Sequence, residues 1–303
     1  MMVEMIPCRK SVQVILILFV LAMAFFCVQY IGIRPVALPP FHAHDSSSEP
    51  CPAAVVDWRM VKTENMTPVQ MLDYFLWTNR SSCRLAHDFG GHMMKKPSGY
   101  DGQKSVCIKP VEVAPPAGEC LVYSVGINGE WSFDEAMESY GCQVYAIDPS
   151  MTVGDHDHTA AIHFYNLGFS SRDYTNGNGW RFRSLSSAYE MLKSKHGDRT
   201  IDYLKLDIEY DEWIVIPNII KSGMMNKVRQ LAIEIHLPVE DSLSKMRERV
   251  NIVRSIEEQG MVRFDSKINP WFYGTFIHLG VSGYRGYEIA WYNSKFYPAN
   301  NKS

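Results

Sequence analysis

The chain has no surplus of positive charge: 30 Lys and Arg stand against 33 Asp and Glu in 303 residues, a formal net charge of −3. Nothing here recruits nucleic acid electrostatically. Internal repeats and low-complexity tracts are absent, which excludes solenoids and propellers. The seven cysteines include no CxxC and no Cys/His pairing at zinc spacing, so no cysteine-based zinc site is expected. The turn after "LVYSV" carries G-x-x-G where a dinucleotide fingerprint needs G-x-G-x-x-G, which argues against a pyrophosphate ligand.

What is present begins with an uncharged stretch, Ser11 to Ile33, whose unbroken apolar core is Val14 to Val28. It is intermediate between a secretory signal and a full membrane span. Arg9 and Lys10 precede it and no A-x-A-like cleavage site follows, so a signal anchor with the remainder in the lumen is expected. Cleavage and secretion is the alternative. The triplets at Asn65, Asn79 and Asn301 fit N-glycosylation and agree with a secretory route, as a single-pass type II membrane protein. Five cysteines follow the apolar run, and Cys83 with Cys107 is the expected disulfide because both lie in the loop-rich segment before the core.

The expected organisation is an anchor or signal over 1–33, a Pro/Ser-rich stem over 34–56, an amino-terminal helix and lid-like loop over 57–119, and a catalytic-sized domain over 120–298. Thr67-Pro68 predicts a helix start before Met71, Leu72, Phe75 and Leu76. Asp88 to Pro116 reads as a loop or lid, with Asp101 and Lys104 over the ligand. From Cys120 onward, strand-like runs "CLVYSV", "QVYAID", "IDYLKLDI" and "RQLAIEI" alternate with helical patterns, the mark of βαβ units in a parallel sheet. Helical spacing recurs over Phe133 to Tyr140, Leu185 to Leu192 and Leu243 to Ile256, each followed by glycine. "MVRFDSKI" and "GYEIAWYN" read as a closing antiparallel pair.

Gly126 and Gly129 allow a ligand to approach the backbone ahead of a helix amino terminus. Asp148, ending the next strand, is placed to accept ribose hydroxyls; capping of the following turn is the bland reading. Together they favour a donor with a ribose and no pyrophosphate, S-adenosylmethionine. Asp207 and Glu209 leave the carboxyl end of "YLKLDI", with Glu212 beyond. Glu234 and His236 share a face of the next strand, where His236 reads as a general base, a metal ligand or a structural histidine. Asp155-His156-Asp157 is a D-x-D of the kind that holds a metal-bound sugar nucleotide in a glycosyltransferase.

"YSVGINGEWSFDEAM", "YAIDPS", "DYLKLDIEYDEW" and "LAIEIH" together resemble the S-adenosylmethionine-dependent methyltransferases of the FkbM type, from about Cys83 to Asn293. The resemblance implies an α/β fold with a Rossmann-like seven-stranded methyltransferase sheet and helices on both faces. It assigns Gly126, Asn128 and Gly129 to the methionine end of the cofactor, Asp148 to its ribose, and Asp207, Glu209 and Glu212 to a D-x-E-G-x-E signature. Tyr210 stands for the usual glycine, and Ser124, on the cofactor side, stands where many methyltransferases carry an acid. The expected function is O-methylation in the secretory pathway, with Asp207, Glu209 or His236 orienting and deprotonating the acceptor. A non-catalytic cofactor-fold binding protein is the alternative. A small molecule, glycan, lipid or protein acceptor fits the sequence equally.

Overall fold

The structure, a computed structural model, describes residues 56–297, which fall within one compact unit. The expected anchor, all but the last residue of the stem, and the Asn301 triplet lie outside the described residues. Among the described residues no helix is long and apolar enough to cross a membrane.

The first helix, α1 (Pro68–Leu76), begins where the cap predicts: Thr67 and Gln70 form a reciprocal capping box, and Pro68 needs no amide partner at the first turn. Met71, Leu72 and Phe75 are buried and Leu76 is exposed. The segment expected as a loop is instead built of strands. β1 (Leu85–Phe89) pairs antiparallel with β4 (Lys104–Lys109), and between them β2 (His92–Lys95) and β3 (Ser98–Asp101) form a hairpin. Glycine, lysine and proline conceal these strands in the sequence: β3 alternates exposed with half-buried residues, and in β4 Lys104 to Cys107 are all buried.

The core then follows the expected alternation: β5 (Leu121–Val125), α2 (Ser132–Ser139), β6 (Gln143–Ile147), β7 (His156–Asp157), β8 (Ile162–Tyr165), three short strands β9 (Gly168–Phe169), β10 (Tyr174–Thr175) and β11 (Arg181–Arg183), α3 (Leu185–His196), β12 (Ile201–Leu206), α4 (Glu212–Lys221), β13 (Val228–His236), α5 (Leu243–Glu258), β14 (Met261–Ile268), a hairpin of β15 (Tyr273–Phe276) and β16 (Val281–Tyr284), and β17 (Gly286–Asn293). The main sheet has the order β14-β17-β13-β12-β5-β6-β8-β7. Strands β13 to β8 run parallel, while β17 lies antiparallel between β13 and β14. Seven strands match the expectation. The eighth, β7, is a two-residue antiparallel edge strand, and it is formed by residues of the D-x-D.

Apolar side chains fill both faces. One cluster joins α1, α3, α4 and α5 to the sheet, and the other joins α2 and β4 to it. The second contains both disulfides, the expected Cys83–Cys107 and also Cys120–Cys142, which ties the start of β5 to the residue before β6. The chain passes outward from β5 through β6 to β8 and returns to β12 on the other side of β5. The order therefore reverses between β5 and β12, where the carboxyl ends of an open sheet leave a crevice for ligands.

Candidate functional site

That crevice is a cleft of about 770 Å³. Gly126, Asn128, Asp148, Asp207 and Glu209 all line it. The sheet ladder positions them: the Gly126 N–H donates to Ile147 O at 2.8 Å, and the Asp207 N–H donates to Val125 O at 3.0 Å. Gly126 has φ +79°, and a Cβ there would lie 1.6 Å from the Asp207 carbonyl oxygen, so only glycine lets the two strand ends meet. Gly129 is also left-handed but faces open space and does not line the cleft.

Asp148 is nearly buried. Its Oδ2 accepts the Asn128 N–H at 2.7 Å, while Oδ1 accepts the Ser150 N–H and hydroxyl at 2.7 and 2.6 Å. A carboxylate offers about four acceptor positions. One remains for a ribose hydroxyl, and a second opens only if the Ser150 hydroxyl turns away. At this end Phe169, Trp180 and Phe182 also line the cleft, offering flat apolar surface to a purine. These aromatics and the single-glycine cradle at Gly126 fit S-adenosylmethionine.

Ser124 does not reach this space. It is fully buried on β5, and its hydroxyl has no hydrogen-bond partner. The nearby carboxyl of Asp134 on α2 is equally orphaned, and burial pushes it up to about 6 against the pull of Lys205. Period two turns Ser124 toward α2, so the position expected on the cofactor side belongs to the helix interface.

At the other end, Lys104 inserts from β4 with a fully buried side chain. Its Nζ lies 2.5 Å from Glu288, 3.4 Å from Asp207 and 3.7 Å from Glu234. The residue expected on a lid is therefore a fixed internal cation. Burial pushes Asp207 up to about 6, with Lys104 opposing and Glu234 reinforcing the rise. Burial raises Glu288 further, and one of its oxygens is unpartnered. Glu234 is displaced the other way: burial is outweighed by His236 and Lys104. Lys205, a buried lysine of β12, donates to the Gly126 carbonyl at 2.6 Å and so braces the turn.

His236 is enclosed by acids. Its Nδ1 faces Glu212 at 2.6 Å, and its Nε2 faces Glu234 at 3.4 Å and Glu209 at 3.7 Å. Burial alone would depress it, but Glu212 and Glu234 together raise it to about 11. These acids favour its imidazolium form, and the ring is flanked by those of Tyr210 and Phe272. Glu212 is itself pushed up by burial despite this bond. Asp207, Glu209 and His236 approach within 4.8 Å, as do Asp207, Glu234 and Glu288. The first set already holds a proton on the imidazole and the second already surrounds the Lys104 ammonium, so a metal ion would have to displace one of them.

Asp155 and Asp157 do not converge on a ligand. Asp155 pairs with Arg181 at 2.9 Å, Asp157 pairs with His163 at 2.6 Å, and neither lines the cleft.

Sequence comparison adds an independent line. The profile of a family described as "Methyltransferase domain" matches residues 81–281. A human protein named "Probable methyltransferase-like protein 24" is 28% identical over 121 residues, covering 39% of this chain and 33% of the relative. A rat protein of the same name is 29% identical over 130 residues, with the same coverage. The match thus spans about a third of the length of these relatives.

Proposed function

The chain belongs to the methyltransferase-domain family, and from that premise we propose that it transfers a methyl group from S-adenosylmethionine to a hydroxyl acceptor. The observation that carries the reading is the meeting of the Gly126 turn, Asp148 and Asp207 in one cleft at the sheet's switch point. S-adenosylmethionine, when bound, supplies an electrophilic methyl group. Asp148 would hold the ribose, the Gly126–Asn128 backbone the methionine portion, and Phe169, Trp180 and Phe182 the base. Asp207, ionised above about pH 6, is placed to take the acceptor's proton. Lys104 fixes the orientation of that carboxylate, and the His236 imidazolium orients Glu234 and Glu209 around it.

The proposed compartment is the secretory pathway, with the domain lumenal behind an amino-terminal anchor, or secreted after cleavage. Two disulfides support it, because such bridges persist in oxidising compartments. The test is incubation of the protein with methyl-labelled S-adenosylmethionine and fractionated secretory-pathway extract, alongside calorimetry with the donor alone. Donor binding with transfer to a hydroxyl-bearing fraction is expected. Absence of donor binding refutes the proposal, whereas binding without transfer to any fraction leaves a non-catalytic donor-binding protein.

A further inference from the structure

We propose that the buried charge cluster behind Asp207 makes the cleft read the charge of the methyl donor, retaining the sulfonium of S-adenosylmethionine and releasing its neutral thioether product. The inference rests on the methyltransferase reading above.

The cleft wall carries seven acids (Asp101, Glu130, Asp148, Asp207, Glu209, Asp211 and Glu234) against one lysine, Lys205, and one histidine, His92. The aromatic surface beside Asp148 suits an uncharged base and ribose, which leaves the charged end of the donor to the acids around Asp207. There the cations are turned inward. Lys104 from β4 is sealed among Asp207, Glu234 and Glu288 of β17, and His236 of β13 is sealed by Glu212 and Glu234. Lys205 of β12 stands 4.0 Å from Asp207 and is bonded to the Gly126 carbonyl. The groups that open toward the cleft are acidic: Asp207 is 21% exposed and Glu209 70%. Burial holds Glu288 toward its neutral form, so Asp207, Glu212 and Glu234 are matched by Lys104, Lys205 and His236, and the exposed Glu209 leaves one acid in excess. A single positive charge in the cleft relieves this excess; a neutral sulfur in its place does not.

Asp207 ties the effect to pH. Its carboxyl is pushed up to about 6 in the folded protein. Above that pH it is charged and attracts a cation, and as pH falls through that value the attraction is lost.

Three ligands of one shape and different charge provide the test: S-adenosylmethionine, the cationic amine isostere sinefungin, and neutral S-adenosylhomocysteine. They are titrated calorimetrically into the full chain between pH 8 and pH 5. At pH 8 the two cations should bind about tenfold or more tighter than the thioether, with the gap narrowing through pH 6. Asp207→Asn should narrow the gap at pH 8, and Glu209→Gln, at an exposed position, provides a second variant. If Asp207→Asn does not fold, the wild-type pH series decides. Equal affinities at every pH overturn the charge-reading proposal and leave the methyltransferase reading standing. Failure of all three ligands to bind overturns both.

Discussion

Replacing Gly126 by alanine places a Cβ 1.6 Å from the carbonyl oxygen of Asp207. Carbon and carbonyl oxygen ordinarily approach to about 3.3 Å, so the strand ends must part by roughly 1.7 Å. Holding alanine at φ +79° costs about 1–2 kcal/mol, and forcing the packed strands apart adds about 1–3 kcal/mol. In a chain of this size the sum lowers the melting temperature by roughly 5–15 °C. The same movement shifts Asp207 and breaks the Lys205 brace on the Gly126 carbonyl, so donor binding should be lost with stability. Gly129→Ala is the internal comparison: φ is +73° but nothing lies within 4 Å, so only the backbone part, about 1–2 kcal/mol, applies. Differential scanning fluorimetry and donor calorimetry on both variants make the measurement. If the two melt within about 2 °C of each other and both bind donor like the wild type, close approach of the β5 and β12 ends is not what Gly126 provides.

Stability should also vary with pH through His236. Its folded value of about 11 lies above that of a free imidazole, so its contribution is complete below about pH 6.5 and is lost as pH rises toward 11. His236→Gln should melt lower than wild type at pH 7, the difference shrinking by pH 10; a constant difference would show that the imidazolium bonds are not responsible. The two disulfides close loops of 24 and 22 residues, each worth about 3 kcal/mol by chain entropy. Reductant, or paired Cys→Ala changes, should therefore lower the urea midpoint, and an unchanged midpoint would mean that the bridges do not form. Asp155→Ala with Asp157→Ala should leave donor affinity unchanged, because both residues are paired outside the cleft; manganese-dependent sugar-nucleotide hydrolysis abolished by the pair would instead revive the glycosyltransferase reading.

Local chemistry made much of this legible in the chain. Caps and glycine stops located α1, α2, α3 and α5. Strand-like runs located β5, β6, β12, β13, β14 and β17, and strand ends placed Gly126, Asp148 and Asp207 together. α4 escaped because its sequence is nearly all apolar around an internal Pro217 and shows no clear period. The partner of the central acids also escaped, since nothing local links Lys104 to Asp207, Glu234 or Glu288. A lysine between the two leucines of "YLKL" was the one available sign of Lys205. The protonation of His236 depends on Glu212 from α4 meeting Glu234 from β13, and the cleft aromatics Trp180 and Phe182 sit in a region without periodicity.

Lys104 has a consequence for how the molecule comes into being. Two of its carboxylate partners are synthesised 103 and 184 residues after it. During translation its ammonium waits in water, because sealing it without those partners would be prohibitive. The last of them arrives with the closing strand, so the cleft's wall cannot be finished on a nascent chain lacking that strand. Such long-range closure is slow relative to local helix formation. Capture by immobilised sinefungin in a pulse-chase experiment would accordingly mark the end of folding rather than any intermediate stage.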